Sequence, residues 1–235
     1  MFKVFRFLIS YIVVQFALIF LLAFYFTSKG YNSNYLPNFI NDNKIYMVLI
    51  LAIIFIPLLL YNYKKLNIKK EKENIFNYII FTIFLSIGYN IVAYYIDKHI
   101  LLSDLYSFNT NLIVSLISTV LIGPIIEELM FRGIMYNELK KISNIKKTML
   151  ITTITFCLCH FNLIQLVYTF IFGYFLVIIY NKNRNINYVI ILHMISNLVT
   201  TFISLFIIKD YIITNIILLF ISIVMLYLSN KKLEV

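Results

Sequence analysis

Apolar residues run in blocks of about twenty along this chain, divided by short polar stretches. Wound as an α-helix, a block of that length matches the roughly 30 Å hydrocarbon core of a bilayer. The pattern predicts an all-α polytopic membrane protein with eight transmembrane helices. They cover residues 5–27, 45–63, 75–96, 111–136, 148–160, 163–181, 188–208 and 211–229. The stretch 148–181 is almost uninterrupted. As one helix it would measure about 50 Å, too long for the core. A break near His160, Phe161 and Asn162 divides it into a hairpin of two short helices. The fourth block carries the main exception to the apolar pattern. Gly123 to Gly133 reads G-P-I-I-E-E-L-M-F-R-G and sets Glu127, Glu128 and Arg132 among residues suited to lipid. Each such group costs roughly 2.5–3.5 kcal/mol at a helix centre. Three of them within six residues mark a site that the other helices serve.

Composition agrees with the pattern. The 235 residues are 62% hydrophobic and 13% charged, about half the charge of a soluble domain. Mean hydropathy is +0.90. The net charge of +10 would point a soluble protein towards nucleic acid. Here the basic residues sit in the loops, and no nucleic-acid partner is expected. With the N-terminus inside, the inner segments hold Lys3, Arg6, Lys64, Lys65, Lys69, Lys70, Lys72, Lys140, Lys141, Lys146, Lys147, Lys182, Arg184, Lys231 and Lys232. The outer ones hold Lys29, Lys44, Lys98 and Lys209. Fifteen against four places both termini in the cytoplasm. Phe7 to Thr27 is longer than a signal-peptide core and lacks a small-residue cleavage site, so it reads as an uncleaved first span. The basic 64–74 segment reads as a solvated loop that sets topology. Cys157 and Cys159 point to different helix faces and read as apolar fillers. With no linker or repeat, residues 1–235 form a single membrane domain.

Glu127 and Glu128 leave their helix about 100° apart and face different neighbours. Glu128 and Arg132, four apart, share a face and pair. Pro124 frees the carbonyl of Val120, so the helix can bend just before the two glutamates. Gly123 and Gly133 admit neighbouring helices closely. His160 ends the fifth predicted span, one turn beyond Phe156. His193 and Asn197 share a face of the seventh, continued by Thr200, Thr201 and Ser204. Depth gives a check. From the inner boundary, Glu127 lies about 12–14 Å in, His193 about 8 Å, Asn197 about 14 Å and His160 about 18 Å. All four fall between the inner edge and mid-membrane, where they can share one cavity open to the cytoplasm.

A carboxylate and a histidine can together hold and deprotonate a water. A second histidine and an amide can donate to a developing oxyanion. That set suits attack of water on a peptide carbonyl. Glu127, His160 and His193 could instead ligate a divalent metal such as zinc, leaving a position for water. There is no H-E-x-x-H, phosphate loop or dinucleotide fingerprint.

These residues resemble a known family. E-E-L-M-F-R at 127–132, F-C-L-C-H at 156–160 and H-M-I-S-N at 193–197 are similar to the E-E-x-x-x-R, F-x-x-x-H and H-x-x-x-N motifs of the CAAX-protease-and-bacteriocin-processing (CPBP, or Abi) intramembrane endopeptidases, in that family's order. The resemblance covers about residues 75–208, the catalytic core. It implies eight helices around a conical cavity open to cytoplasm and membrane. It implies Glu127 and His160 as the water-activating pair and His193 and Asn197 as oxyanion stabilisers. Glu128, Arg132 and Phe156 are supporting. Members have been described both as metalloproteases and as metal-free glutamate proteases, and the amide partner of His193 favours metal-free activation here.

The expected function is an intramembrane endopeptidase cutting a peptide or membrane-protein substrate near the cytoplasmic face of a bacterial membrane. The Asn-, Ile- and Lys-rich composition favours a signal peptide or bacteriocin-like precursor over a prenylated CAAX tail. The alternative is a non-catalytic scaffold or self-immunity protein that binds a peptide or a sensor kinase. A small transporter is a third reading, since buried charges also line transport paths.

Overall fold

In the computed structural model, residues 2–96, 112–160, 163–206 and 212–233 are described, and all regular structure among them is helical. The long helices are α1 (Phe2–Ser28), α3 (Lys44–Lys65), α4 (Phe76–Ile96), α5 (Leu112–Lys140), α6 (Ile145–Leu158), α7 (Leu163–Asn183), α8 (Ile186–Phe206) and α9 (Ile212–Leu233). The short α2 (Leu36–Asp42) lies between α1 and α3. Among the described residues, six helices are long and apolar enough to cross a membrane: α1, α3, α4, α5, α7 and α8. The protein is therefore multi-pass. At 14 residues α6 reaches only about 21 Å, short of the hydrocarbon core.

The break in the 148–181 stretch falls where expected. Helix α6 ends at Leu158 and α7 begins at Leu163, and Phe161 and Asn162 lie outside the described residues. Only α6 is short. Helix α7 runs for 21 residues, because its apolar pattern holds from Leu163 to Tyr180 and a polar last turn, Asn181 to Asn183, extends it.

The helices gather into two compact units. The first comprises residues 1–68 and 110–148, the second residues 69–109 and 149–235. In the first, α3 buries Met47, Leu51, Phe55, Leu59 and Tyr63, one residue every turn, as a stripe against α1 and α5. Its other side is also apolar, with Ile53 exposed, as suits a helix facing lipid. In the second, α4 packs on α8 and α9. A Cβ at Gly88 would stand 3.3 Å from Cβ of Ser222, so two small residues let α4 and α9 approach closely.

The 64–74 segment is less free than its charges imply. Its second half is tied to the end of α7 and the start of α8. The Glu71 amide donates to the Asn183 carbonyl at 2.9 Å. The Glu73 amide donates to the Tyr188 hydroxyl at 3.2 Å, and Lys182 Nζ donates to Glu73 Oε1 at 2.8 Å. Desolvation opposes the charged form of Glu73, but hydrogen bonds from Lys182, Asn183 and Tyr78 and the Lys182 charge together hold its carboxyl below the usual range. A lowered folded pKa means the tie is fully present above the ordinary glutamate value of about 4.3. It is lost as pH falls through the folded value. Amide exchange at Glu71 and Glu73, scaled to an unstructured peptide at each pH, should therefore accelerate on acidification. Glu73→Gln should reproduce that acceleration at neutral pH, and unchanged exchange in this variant would count against the tie.

Candidate active site

Helix α5 carries the first motif, and its winding changes twice around it. Leu116–Ile122 and Leu129–Met135 are π-helical, and Gly123–Glu128 between them is α-helical. The Gly123 amide bonds the Ser118 carbonyl and the Tyr136 amide bonds that of Phe131, each five residues back. Pro124 sits just beyond the first wide turn, at the start of an α segment, where a missing N–H is tolerated. The winding of the helix thus changes just before the two glutamates. Asn137 supports the second wide turn. Its Nδ2 donates to the carbonyls of Arg132 at 3.1 Å and Gly133 at 2.6 Å. Such turns are frequent at functional sites, and buried side chains can satisfy the carbonyls they release.

Glu128 and Arg132 form the pair their spacing predicts. Arg132 Nη1 donates to Glu128 Oε1 at 2.8 Å, and both side chains are fully buried. Glu127 is half-buried. Gly123 has another use than the expected helix contact. A Cβ there would lie 3.1 Å from the Ser118 carbonyl oxygen and 3.7 Å from Glu127 Oε1. The missing side chain leaves room for the wide turn and for the carboxylate. Under the water-activating role proposed below for Glu127, Gly123→Ala should preserve expression but lower activity by about tenfold, since small displacements of such a group are costly. Activity and thermal stability measured side by side check this. A variant with wild-type activity would show that Glu127 tolerates the crowding.

The second and third motifs meet in the other unit. His160 lies two residues beyond α6 and is half-buried. Its Nδ1 is 3.0 Å from the Phe156 carbonyl oxygen. A carbonyl only accepts, so Nδ1 carries the hydrogen in this bond. In the neutral ring, Nε2 is then the basic nitrogen, able to take a proton or bind a metal. His193 on α8 is buried. Phe156 meets both imidazoles edge-on, with centroids 5.1 Å from His160 and 5.8 Å from His193. Phe172 of α7 meets His193 from a further side at 5.8 Å. One phenyl ring thus links the two histidine motifs. Asn197, one turn on from His193, is half-buried, and its carbonyl accepts from Thr201.

The polar stripe beyond Asn197 has a structural use. Thr200 accepts a hydrogen bond from Asn90 of α4 at 3.0 Å. Ser204 has no described side chain. Ser86, Tyr168 and Ser196 form a triangle of hydroxyls across α4, α7 and α8, with separations of 2.8, 3.1 and 2.5 Å. These interhelical bonds fasten the helix that bears His193. Sequence reasoning passed over Ser86, Tyr168 and Ser196 because each is a common residue without a motif. The signal was present in Thr82, Ser86 and Asn90, spaced four apart in an apolar helix.

Residues 109–199 match the family described as type II CAAX prenyl endopeptidase, Rce1-like. The matched stretch contains all three motifs. This Rce1-like match is consistent with the CAAX-protease-and-bacteriocin-processing resemblance and points to CAAX-type protease chemistry in a membrane protein. No curated protein and no solved structure matches the chain. Of the residues singled out, the structure brings together Glu128 with Arg132, and Phe156 with His160 and His193. Glu127 belongs to the first unit and the histidines to the second. Within either unit, among the described residues, no three His, Cys, Asp or Glu side chains cluster as a metal site would require.

Proposed function

We propose that the chain is an intramembrane endopeptidase of the Rce1-like type, with eight spans and both termini in the cytoplasm. Glu127 and His160 activate a water for attack on a peptide carbonyl, and His193 and Asn197 stabilise the oxyanion. The observation that most supports this reading is the 3.0 Å contact between His160 Nδ1 and the Phe156 carbonyl oxygen. With Nδ1 held by the Phe156 carbonyl, Nε2 is the nitrogen left for proton transfer. The Phe156 ring lies edge-on to both imidazoles, and an apolar neighbour of this kind strengthens hydrogen bonds made beside it. The substrate is a peptide at the cytoplasmic membrane face, a signal peptide or bacteriocin-like precursor, in keeping with the composition.

Glu127, His160 and His193 are the residues that would hold a divalent metal, His160 through Nε2. If bound, it would supply a Lewis acid and a more acidic water. We favour the metal-free form because Asn197 stands one turn from His193, where an amide suits an oxyanion rather than a metal.

Comparative peptidomics of membranes carrying wild-type protein or His160→Ala tests the reading. The expected result is a precursor that accumulates only with the variant, its cleaved form only with wild type. Identical peptide profiles would remove His160 from the chemistry. Elemental analysis of the purified protein decides the metal.

A further inference from the structure

We propose that the α1–α2 corner of the first unit is a binding site for an organic ammonium group, separate from the peptidase motifs. An open hollow of about 340 Å³ lies there. Its walls are Phe26, Tyr31, Tyr35 and Phe39, with Asn38 and Asp42. The local sequence builds it. Gly30 takes the left-handed conformation, φ 72°, just after α1. Tyr31 then turns back onto Phe26, with ring centroids 5.1 Å apart. Phe39 of α2 closes on the same ring at 5.0 Å. Phe26 is buried, while Tyr31 and Tyr35 are exposed at the rim. Asp42 brings a carboxylate, and none of the described lining residues is basic.

Aromatic rings beside one carboxylate favour an organic cation over an anion. The cluster already holds one such cation. Lys29 Nζ lies 5.7 Å over the Tyr25 ring, and Tyr25 stacks on Phe39 at 6.3 Å. The hollow beside it adds an acidic side chain, Asp42, to rings of the same cluster. A ring of interfacial tyrosines alone would anchor α1 at the lipid–water boundary. It would not call for an acid beside the rings. The ammonium can come from a lipid headgroup or from a free solute, and the chemistry is the same.

The test uses the full-length protein in uncharged detergent, titrated with tetramethylammonium and followed by saturation-transfer NMR. Neopentanol, of similar shape without the charge, is the control. Wild type should bind tetramethylammonium saturably and neopentanol far more weakly. Tyr31→Leu and Asp42→Asn, both at exposed positions, should each weaken binding by about two- to fivefold. Equal binding of neopentanol, or variants that bind as wild type does, would overturn the proposal. In nanodiscs, displacement of the probe by phosphatidylethanolamine but not by phosphatidylglycerol supports the site with a lipid as its source. Binding undisturbed by either lipid supports it with a soluble ammonium compound.

Discussion

Glu127→Gln should reduce peptide processing by about a hundredfold to ten-thousandfold, the range for loss of a general base. The substitution keeps the size of the side chain and removes only its basicity. Glu127 is half-buried and lies in the α-helical segment between two π turns, so the helix should fold unchanged. The neighbouring position gives the contrast. Glu128→Gln weakens a fully buried ion pair and should appear first as lost stability. Measuring processing rate and melting temperature for both variants separates two adjacent glutamates by role. If Glu127→Gln processes its precursor at the wild-type rate, the water-activating role assigned to this carboxylate is wrong.

Arg132→Leu is expected to have the largest effect on folding. It leaves the Glu128 carboxylate buried without its 2.8 Å partner. Breaking a buried pair from one side costs about 3–5 kcal/mol. The double variant Glu128→Leu, Arg132→Leu should recover most of that loss, since apolar replacement of a whole buried pair is often neutral. Thermal unfolding in detergent, with yield from membranes as a second measure, reads both outcomes. A single variant as stable as wild type would show that the pair contributes nothing to folding. Should the double variant melt as low as the single one, the loss would come from packing rather than from a stranded charge.

The hydrophobic pattern made the helices legible because a membrane helix announces itself by length. The predicted 75–96 became Phe76–Ile96, and the predicted 45–63 became Lys44–Lys65. The interruption at His160 was legible for the same reason, since a 34-residue apolar stretch exceeds a bilayer. The Glu128–Arg132 pair followed from helical spacing alone. The π turns did not, because they depend on where the released carbonyls find donors. Asn137 lies five residues from Arg132, a separation that an ordinary helical reading passes over. The contact of Phe156 with both imidazoles was hidden for another reason. His193 is 37 positions away in the chain, and no periodicity reports a ring contact between α6 and α8. The tie between Glu73 and Lys182 was likewise masked by the surrounding lysines, which made the whole segment look solvated.

The two wide turns of α5 also bear on how this helix can change length. A π turn is an α-helical turn that has taken in one extra residue. Removing one residue from Leu116–Ile122 can return that turn to ordinary winding without breaking the helix. The same lesion in α3 would rotate its buried stripe from Met47 to Tyr63 off its partners. Helix α5 therefore holds two positions where a single-codon deletion is absorbed as a twist. Such a deletion turns Glu127 only relative to the part of α5 on the other side of the altered turn.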